Sequence, residues 1–133
     1  PGKLRGCEID IDATPDLLPA LAAVAAFAEG DTSFVNGARL RIKESDRLTA
    51  CANLLRDLGG EAEETADSLI VHGTGLRGGD VDGCGDHRIV MAAAIAATFC
   101  AAPVIITGAE AVKKSYPSFW DEYQRLGGDI HVL

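Results

Sequence analysis

Arg39, Arg41, Lys43 and Arg47 crowd into the segment Arg39-Leu40-Arg41-Ile42-Lys43-Glu44-Ser45-Asp46-Arg47, and a second charged run, Asp86-His87-Arg88, follows later in the chain. Arginine forks match planar carboxylates, whereas lysines such as Lys43 and Lys114 act as point charges on phosphate. Asp16 and Glu44 add carboxylates whose proton affinity neighbouring cations would tune, which makes both of them acid–base candidates. This set of residue types suits a small ligand carrying carboxylate and phosphate groups. Each position also falls where a helix is expected to begin: Asp16 in the first, Lys43, Glu44 and Arg47 in the second, Asp86, His87 and Arg88 in the third, with Lys114 and Ser115 just ahead of a fourth. Helix N-termini hold unpaired amides and about half a positive charge, so they attract anions before any side chain is counted. If the four helices point the same way, all these groups converge on one end of a sheet. A plainer reading of Arg39, Arg41 and Lys43 is one face of a solvated edge strand. His87 could serve as a base or, more simply, as a hydrogen-bonded support beside Asp86.

The elements that would position these groups can be read from periodicity. Glu8-Ile9-Asp10-Ile11-Asp12 alternates with period two, as a half-buried strand does. Thr14-Pro15-Asp16 is a helix opening, with a capping hydroxyl, a proline where no amide hydrogen bond is lost, and a carboxylate at the positive end of the dipole. That helix is expected to run to about Glu29 and stop at Gly30. Leu48, Cys51, Leu54, Leu55 and Leu58 form an apolar stripe at helical spacing, closed by Gly59-Gly60. A third helix, Asp86 to about Ala101, is apolar nearly all round, as a helix enclosed by other elements would be, and a fourth starts at Pro117. Short strands are expected at Ser33 to Val35, Glu61-Ala62, Ser68 to His72, Val104 to Ile106 and Asp129-Ile130.

An internal repeat at an offset of about seventy residues organises these elements. Ile11-Asp12-Ala13-Thr14-Pro15-Asp16 matches Val81-Asp82-Gly83-Cys84-Gly85-Asp86, Lys43 matches Lys114, and Leu58-Gly59-Gly60 matches Leu126-Gly127-Gly128. The expectation is one α/β (α+β) domain over residues 1–133, made of two βαβαββ-type pseudo-repeats at about 7–77 and 78–133.

Composition narrows the function classes. With 47% hydrophobic and 24% charged residues in 133, the chain has the make-up of a globular domain and not of a disordered tail. A net charge of -8 opposes a broad hold on nucleic acid, and no apolar run is long enough for a membrane span. Cys7, Cys51, Cys84 and Cys100 include no C-x-x-C pair; they read as buried thiols in a reducing cytoplasm, with no metal site. Asp80-Val81-Asp82-Gly83 hints at a calcium loop, but Met91 stands where the bidentate glutamate is needed. Gly73-Thr74-Gly75 reads as a turn, and His72 and His131 as structural residues in strands.

Arg41-Ile42-Lys43-Glu44-Ser45-Asp46-Arg47-Leu48, Asp86-His87-Arg88-Ile89-Val90-Met91 and Lys114-Ser115-Tyr116-Pro117-Ser118-Phe119 resemble three successive signatures of the 5-enolpyruvylshikimate-3-phosphate synthase family, and Asp16 matches a fourth position. The resemblance covers the whole chain, which corresponds to roughly the last third of that family's length. It implies part of the C-terminal domain of the enolpyruvyl transferase fold, a two-domain cytoplasmic enzyme whose domains each contain three such units and meet at a cleft. It further implies transfer of the enolpyruvyl group of phosphoenolpyruvate to the 5-hydroxyl of shikimate 3-phosphate in aromatic amino-acid biosynthesis, without metal or organic cofactor. By position, Asp16 would accept or orient the proton of the attacking hydroxyl, and Glu44 would shuttle a proton at the methylene carbon. Arg47 and Arg88 would clamp the carboxylate of phosphoenolpyruvate, Lys114 would face its phosphate, and Lys43 would contact shikimate 3-phosphate, with Asp86 and His87 in support. Arg39 stands where some relatives have an asparagine. The family's N-terminal lysine and serines are absent, so the chain is expected to hold half of a site, to be inactive alone, to need the N-terminal domain as partner, and to self-associate through surface left uncovered. Two alternatives are a fragment of the transferase acting on a UDP-sugar, which would not be expected to show Lys43-Glu44-Ser45-Asp46-Arg47, and a non-catalytic anion-binding or interaction module.

Overall fold

The computed structural model describes residues 2–133. Its strands are β1 (Glu8–Asp10), β2 (Asp31–Val35), β3 (Glu61–Glu64), β4 (Leu69–His72), β5 (Gly79–Asp82) and β6 (Val104–Thr107). Its helices are α1 (Leu18–Ala25), α2 (Arg47–Asp57), α3 (His87–Ala97) and α4 (Phe119–Arg125). Strands β1, β2, β4 and β3 form one sheet in that order, and β5 and β6 pair separately. β1 runs parallel to β2, with Glu8 opposite Ser33, and β5 runs parallel to β6, with Gly79 opposite Val104. Parallel neighbours require a crossover, and α1 and α3 supply it. β4 pairs antiparallel with β2, and β3 pairs antiparallel with β4 to complete the first sheet.

The core lies between the strands and the helices. Phe34, Leu69 and Val71 from the sheet are fully covered by Leu18, Leu48, Leu54, Leu55 and Ile89 from the helices. α1 and α3 pack on each other through Ala22, Ala23, Ala92, Ala93 and Ala96, whose small side chains let the two backbones come close. A smaller cluster, Val90, Ala111 and Val112, is covered by Phe119 and Trp120. α4 is fastened by its aromatic residues: Trp120 Nε1 donates to the Ala109 carbonyl at 3.1 Å and Tyr123 Oη to the Ala94 carbonyl at 2.9 Å.

Several elements differ from the sequence reading. Residues Ala38–Ile42 form a 3-10 helix and not an edge strand. Leu40 turns into the core while Ile42 stays 84% exposed, so Arg39 and Arg41 leave on divergent paths instead of sharing a face. The first helix opens with a 3-10 turn at Pro15–Leu17, Thr14 makes no side-chain cap, and α1 stops at Ala25, short of Glu29. Its end is set by tertiary hydrogen bonds: the Ala26 carbonyl accepts from Gly75, and Glu29 bonds to Leu4 and Gly6. α2 starts at Arg47 with Asp46 as its cap, and α3 ends at Ala97, leaving Phe99 68% exposed. Asp129-Ile130 and His131 are in no strand, so the second unit has β5, α3, β6 and α4 without a closing strand pair. Cys7 and Cys84 are exposed; only Cys51 is fully buried, and there burial pushes its thiol far above the ordinary range. His72 lies in β4 as expected and pairs with Asp31 at 2.7 Å and Glu63 at 3.2 Å.

Candidate active site

β1, β2 and β5 each run out at their carboxyl end into a segment that starts a helix, and in open α/β sheets ligands sit outside those carboxyl ends. The charged groups collect there around Arg47. Its side chain is 1% exposed, yet it touches three carboxylates. Nη1 donates to Asp16 Oδ1 at 2.7 Å, Nη2 to Glu44 Oε2 at 2.6 Å and to Asp86 Oδ1 at 3.2 Å, and Nε to Asp86 Oδ2 at 2.9 Å. A guanidinium has five N–H donors, and four are engaged in this way. Burying a charge is costly unless it is paired and hydrogen-bonded, and here the pairing is nearly complete.

Asp86 anchors the arrangement. It is 0% exposed, caps α3 by accepting from the Arg88 amide at 2.9 Å, and accepts from Ser45 Oγ at 2.8 Å. Burial pushes its carboxyl up, but hydrogen bonds from Arg47, Ser45 and the Arg88 amide outweigh this and hold it below the usual carboxylate range. Asp16, 51% exposed, also lies 3.6 Å from Arg88 Nη2. Partial burial raises its carboxyl, while the Arg47 hydrogen bond and the charges of Arg88, Arg47 and Lys43 lower it further, for a net shift down.

The turn that delivers α3 has Cys84 and Gly85 both in the left-handed region, with φ of 54° and 61°. Gly83 must be glycine: a Cβ there would come within 2.7 Å of Val90 Cγ2 and 2.8 Å of the Thr107 carbonyl. This turn exposes the Gly85 carbonyl, which accepts from Lys114 Nζ at 2.6 Å. Lys114 reaches the cluster from the end of the 3-10 segment Ala109–Lys114; α4 begins only at Phe119. Three helix starts therefore meet, and the fourth cation arrives from a different kind of element. His87 opens α3 almost fully buried, and its Nδ1 has no hydrogen-bond partner among the described residues. Lys43 is exposed at the entrance to α2.

Two further arginines of the basic run are committed elsewhere. Arg39 pairs with Asp12, and Arg41 with Asp46, Glu64 and Thr49 as well as the carbonyls of Thr65 and Ala66. Ser45 is a member of the cluster that sequence reasoning missed; its place directly before the cap residue of α2 was the only available signal. A hollow of about 140 Å³, lined by apolar residues including Leu4, Val24, Phe27 and Phe99, shares no residue with the cluster. Among the described residues, no group of three or more His, Cys, Asp or Glu side chains is placed to hold a metal ion, and no helix is long and apolar enough to cross a membrane.

Comparison with known proteins gives the family of the chain. Residues 1–123 match the family described as EPSP synthase (3-phosphoshikimate 1-carboxyvinyltransferase). The chain is 51% identical over 131 residues to a 3-phosphoshikimate 1-carboxyvinyltransferase of Clostridium kluyveri, covering 98% of this chain and 31% of that protein. A protein of the same description from Clostridium acetobutylicum is 53% identical over 128 residues, covering 96% of this chain and 30% of its own length. The structure of EPSP synthase from Acinetobacter baumannii superposes with a TM-score of 0.90 at 33% identity, over 97% of this chain and 32% of that one. The enolpyruvyl transferase NikO from Streptomyces tendae, at 22% identity and a TM-score of 0.77 over 98% of this chain and 30% of its own, shares the fold. The chain thus spans about a third of the length of its relatives, and over that span its sequence and its fold make it a member of the EPSP synthase family.

Proposed function

We propose that this chain supplies one side of an active site that transfers the enolpyruvyl group of phosphoenolpyruvate to the 5-hydroxyl of shikimate 3-phosphate, releasing phosphate, in the cytoplasm. The other side belongs to the N-terminal domain of the same enzyme. The supporting observation is the cluster in which Arg47, Arg88 and Lys114 gather with Asp16 and Glu44 at the carboxyl ends of the strands. Arg88, with the outer edge of Arg47, takes the carboxylate, since two forked donors match its plane. Lys114 faces the phosphate and Lys43 the second substrate.

In the addition step the hydroxyl oxygen bonds to C2 of phosphoenolpyruvate, its proton passes to Asp16, and Glu44, which must take up a proton from solvent before the step, delivers it to the C3 methylene, giving a tetrahedral intermediate. In the elimination step Glu44 takes a proton back from C3, the C2–O bond to phosphate breaks, and phosphate departs toward Lys114, taking up the proton that Asp16 held. Glu44 is suited to both directions because Arg47 holds only Oε2, and Oε1 has no hydrogen-bond partner among the described residues. Asp86 and His87 act in support: Asp86 fixes Arg47, and His87 opens α3 beside it. The fixed cations stabilise charge that develops on the leaving group without having to reorganise.

Reconstitution tests this. The chain alone should release no phosphate from the two substrates, because near-attack geometry needs both jaws of the cleft. Adding the N-terminal part of the protein should restore phosphate release, and Glu44→Ala should abolish it. Release by the chain alone above the Glu44→Ala background, or none on reconstitution, would remove the proposal.

A further inference from the structure

Of the three carboxylates on Arg47, one differs from the other two. Asp86 is locked by four hydrogen bonds, to Arg47 twice, to Ser45 and to the Arg88 amide. Glu44 touches Arg47 alone. Asp16 touches both arginines, with Oδ1 2.7 Å from Arg47 Nη1 and Oδ2 3.6 Å from Arg88 Nη2. Its two oxygens span the two guanidiniums as a ligand carboxylate would. Because Arg47 is 1% exposed and its other edges face Glu44 and Asp86, an incoming carboxylate can reach both arginines only by taking the place of Asp16. Asp16 can yield: it stands half-exposed on a single 3-10 turn, and the two arginines are its only side-chain partners among the described residues.

We infer that Asp16 is a built-in stand-in for the substrate carboxylate, neutralising the Arg47–Arg88 pair in the empty site and being displaced when the ligand binds. The inference rests on the assignment of these arginines as the carboxylate clamp. Its consequence is a coupling between occupancy and chemistry. While it holds two arginines, Asp16 is a poor proton acceptor, because their charges stabilise its ionised form. Displacement by the ligand removes that stabilisation and frees the carboxylate for the hydroxyl. The base becomes competent only once the acceptor of the hydroxyl is in place.

The test titrates this chain with phosphoenolpyruvate, and separately with inorganic phosphate, following heat or amide resonances. Removing a charge that competes for the seat should tighten phosphoenolpyruvate binding about tenfold in Asp16→Asn, whereas Glu44→Gln, which removes the same charge from Arg47 alone, should change it less than about threefold. The gain should vanish when Arg88→Ala is added, and inorganic phosphate, which has no planar carboxylate, should gain less. Equal gains in Asp16→Asn and Glu44→Gln would reduce the effect to bulk charge and overturn the stand-in. Wild-type binding that Asp16→Asn leaves unchanged or weakens would overturn it as well, with the clamp intact. Binding to no variant would overturn the clamp itself. A second measurement avoids substitution: on saturating the wild-type chain, the Asp16 carboxyl-carbon resonance should move toward that of a solvated aspartate while that of Asp86 stays. Saturation without movement at Asp16 would overturn the inference.

Discussion

Replacing Asp86 with alanine should destabilise the chain more than any other single change at the site. The side chain is 0% exposed and accepts from Arg47 Nε at 2.9 Å, Arg47 Nη2 at 3.2 Å, Ser45 Oγ at 2.8 Å and the Arg88 amide at 2.9 Å. Two losses combine. Removing the cap of α3 costs about 1 kcal/mol. Leaving Arg47 buried without its two-pronged partner falls in the range of about 3–5 kcal/mol found for broken buried pairs, at the lower end because Asp16 and Glu44 remain. The sum, about 4 kcal/mol, is a large share of the roughly 5–15 kcal/mol that holds a typical domain together. Urea unfolding at neutral pH, followed by circular dichroism and Trp120 fluorescence, measures it. The double variant Arg47→Met, Asp86→Ala should recover much of the loss, with a coupling of at least about 2 kcal/mol, because no buried charge is then stranded. A loss below about 1 kcal/mol for Asp86→Ala, or strict additivity in the double variant, would refute the view of Arg47 as a buried charge held by Asp86.

Other expectations are checked more simply. A thiol reagent under native conditions should label the exposed Cys7 and Cys84 first and reach Cys51 only on unfolding; early reaction of Cys51 would contradict its burial on the core face of α2. Hydrogen bonds from its ring N–H groups to Asp31 and Glu63 raise the His72 imidazole above its ordinary 6.5, so its contribution is full below that value and is lost as pH rises through the higher folded value. The stability difference between wild type and His72→Gln should therefore shrink across that window, and a difference that grows with pH would reverse the sign. In the reconstituted enzyme, Arg88→Lys should lower kcat/KM by about 2 kcal/mol or more, since one ammonium cannot replace a forked contact.

The starts of α2 and α3 were legible because local chemistry writes them. Asp46 and Asp86 are cap residues, and the stripe Leu48, Cys51, Leu54, Leu55 and Leu58 that faces the core is buried as its spacing requires. What the sequence concealed is tertiary. Arg47 reads as one of several cations at helix starts, yet it is the buried centre of the cluster, because Asp16 and Asp86 are brought to it from two other helix starts and Glu44 from three residues back in its own segment. Alternation in Arg39-Leu40-Arg41-Ile42 mimics a strand; the anchoring of Leu40 and the Gly37 amide bond to Asp67 bend it into a 3-10 turn instead. Lys114 was placed by its order in the chain, but the element that carries it was not foreseen, since the run Ala109–Lys114 has no helical stripe.

The convergence of these charges on one anion site can be measured directly on the chain by its thermal stability in phosphate. Anions that bind only the folded state stabilise it by mass action, by about 2.7 kcal/mol at 100 times the dissociation constant. Salting-out also stabilises proteins, so variants carry the test. Lys114 and Arg88 belong to the cluster, whereas Lys3 pairs with Glu29 on an exposed surface. The account predicts that low millimolar phosphate raises the Tm of wild type and Lys3→Ala equally and that Lys114→Ala and Arg88→Ala each blunt the rise. Equal rises in all four proteins would contradict it, for the anion would then be acting on the whole surface and not on a site.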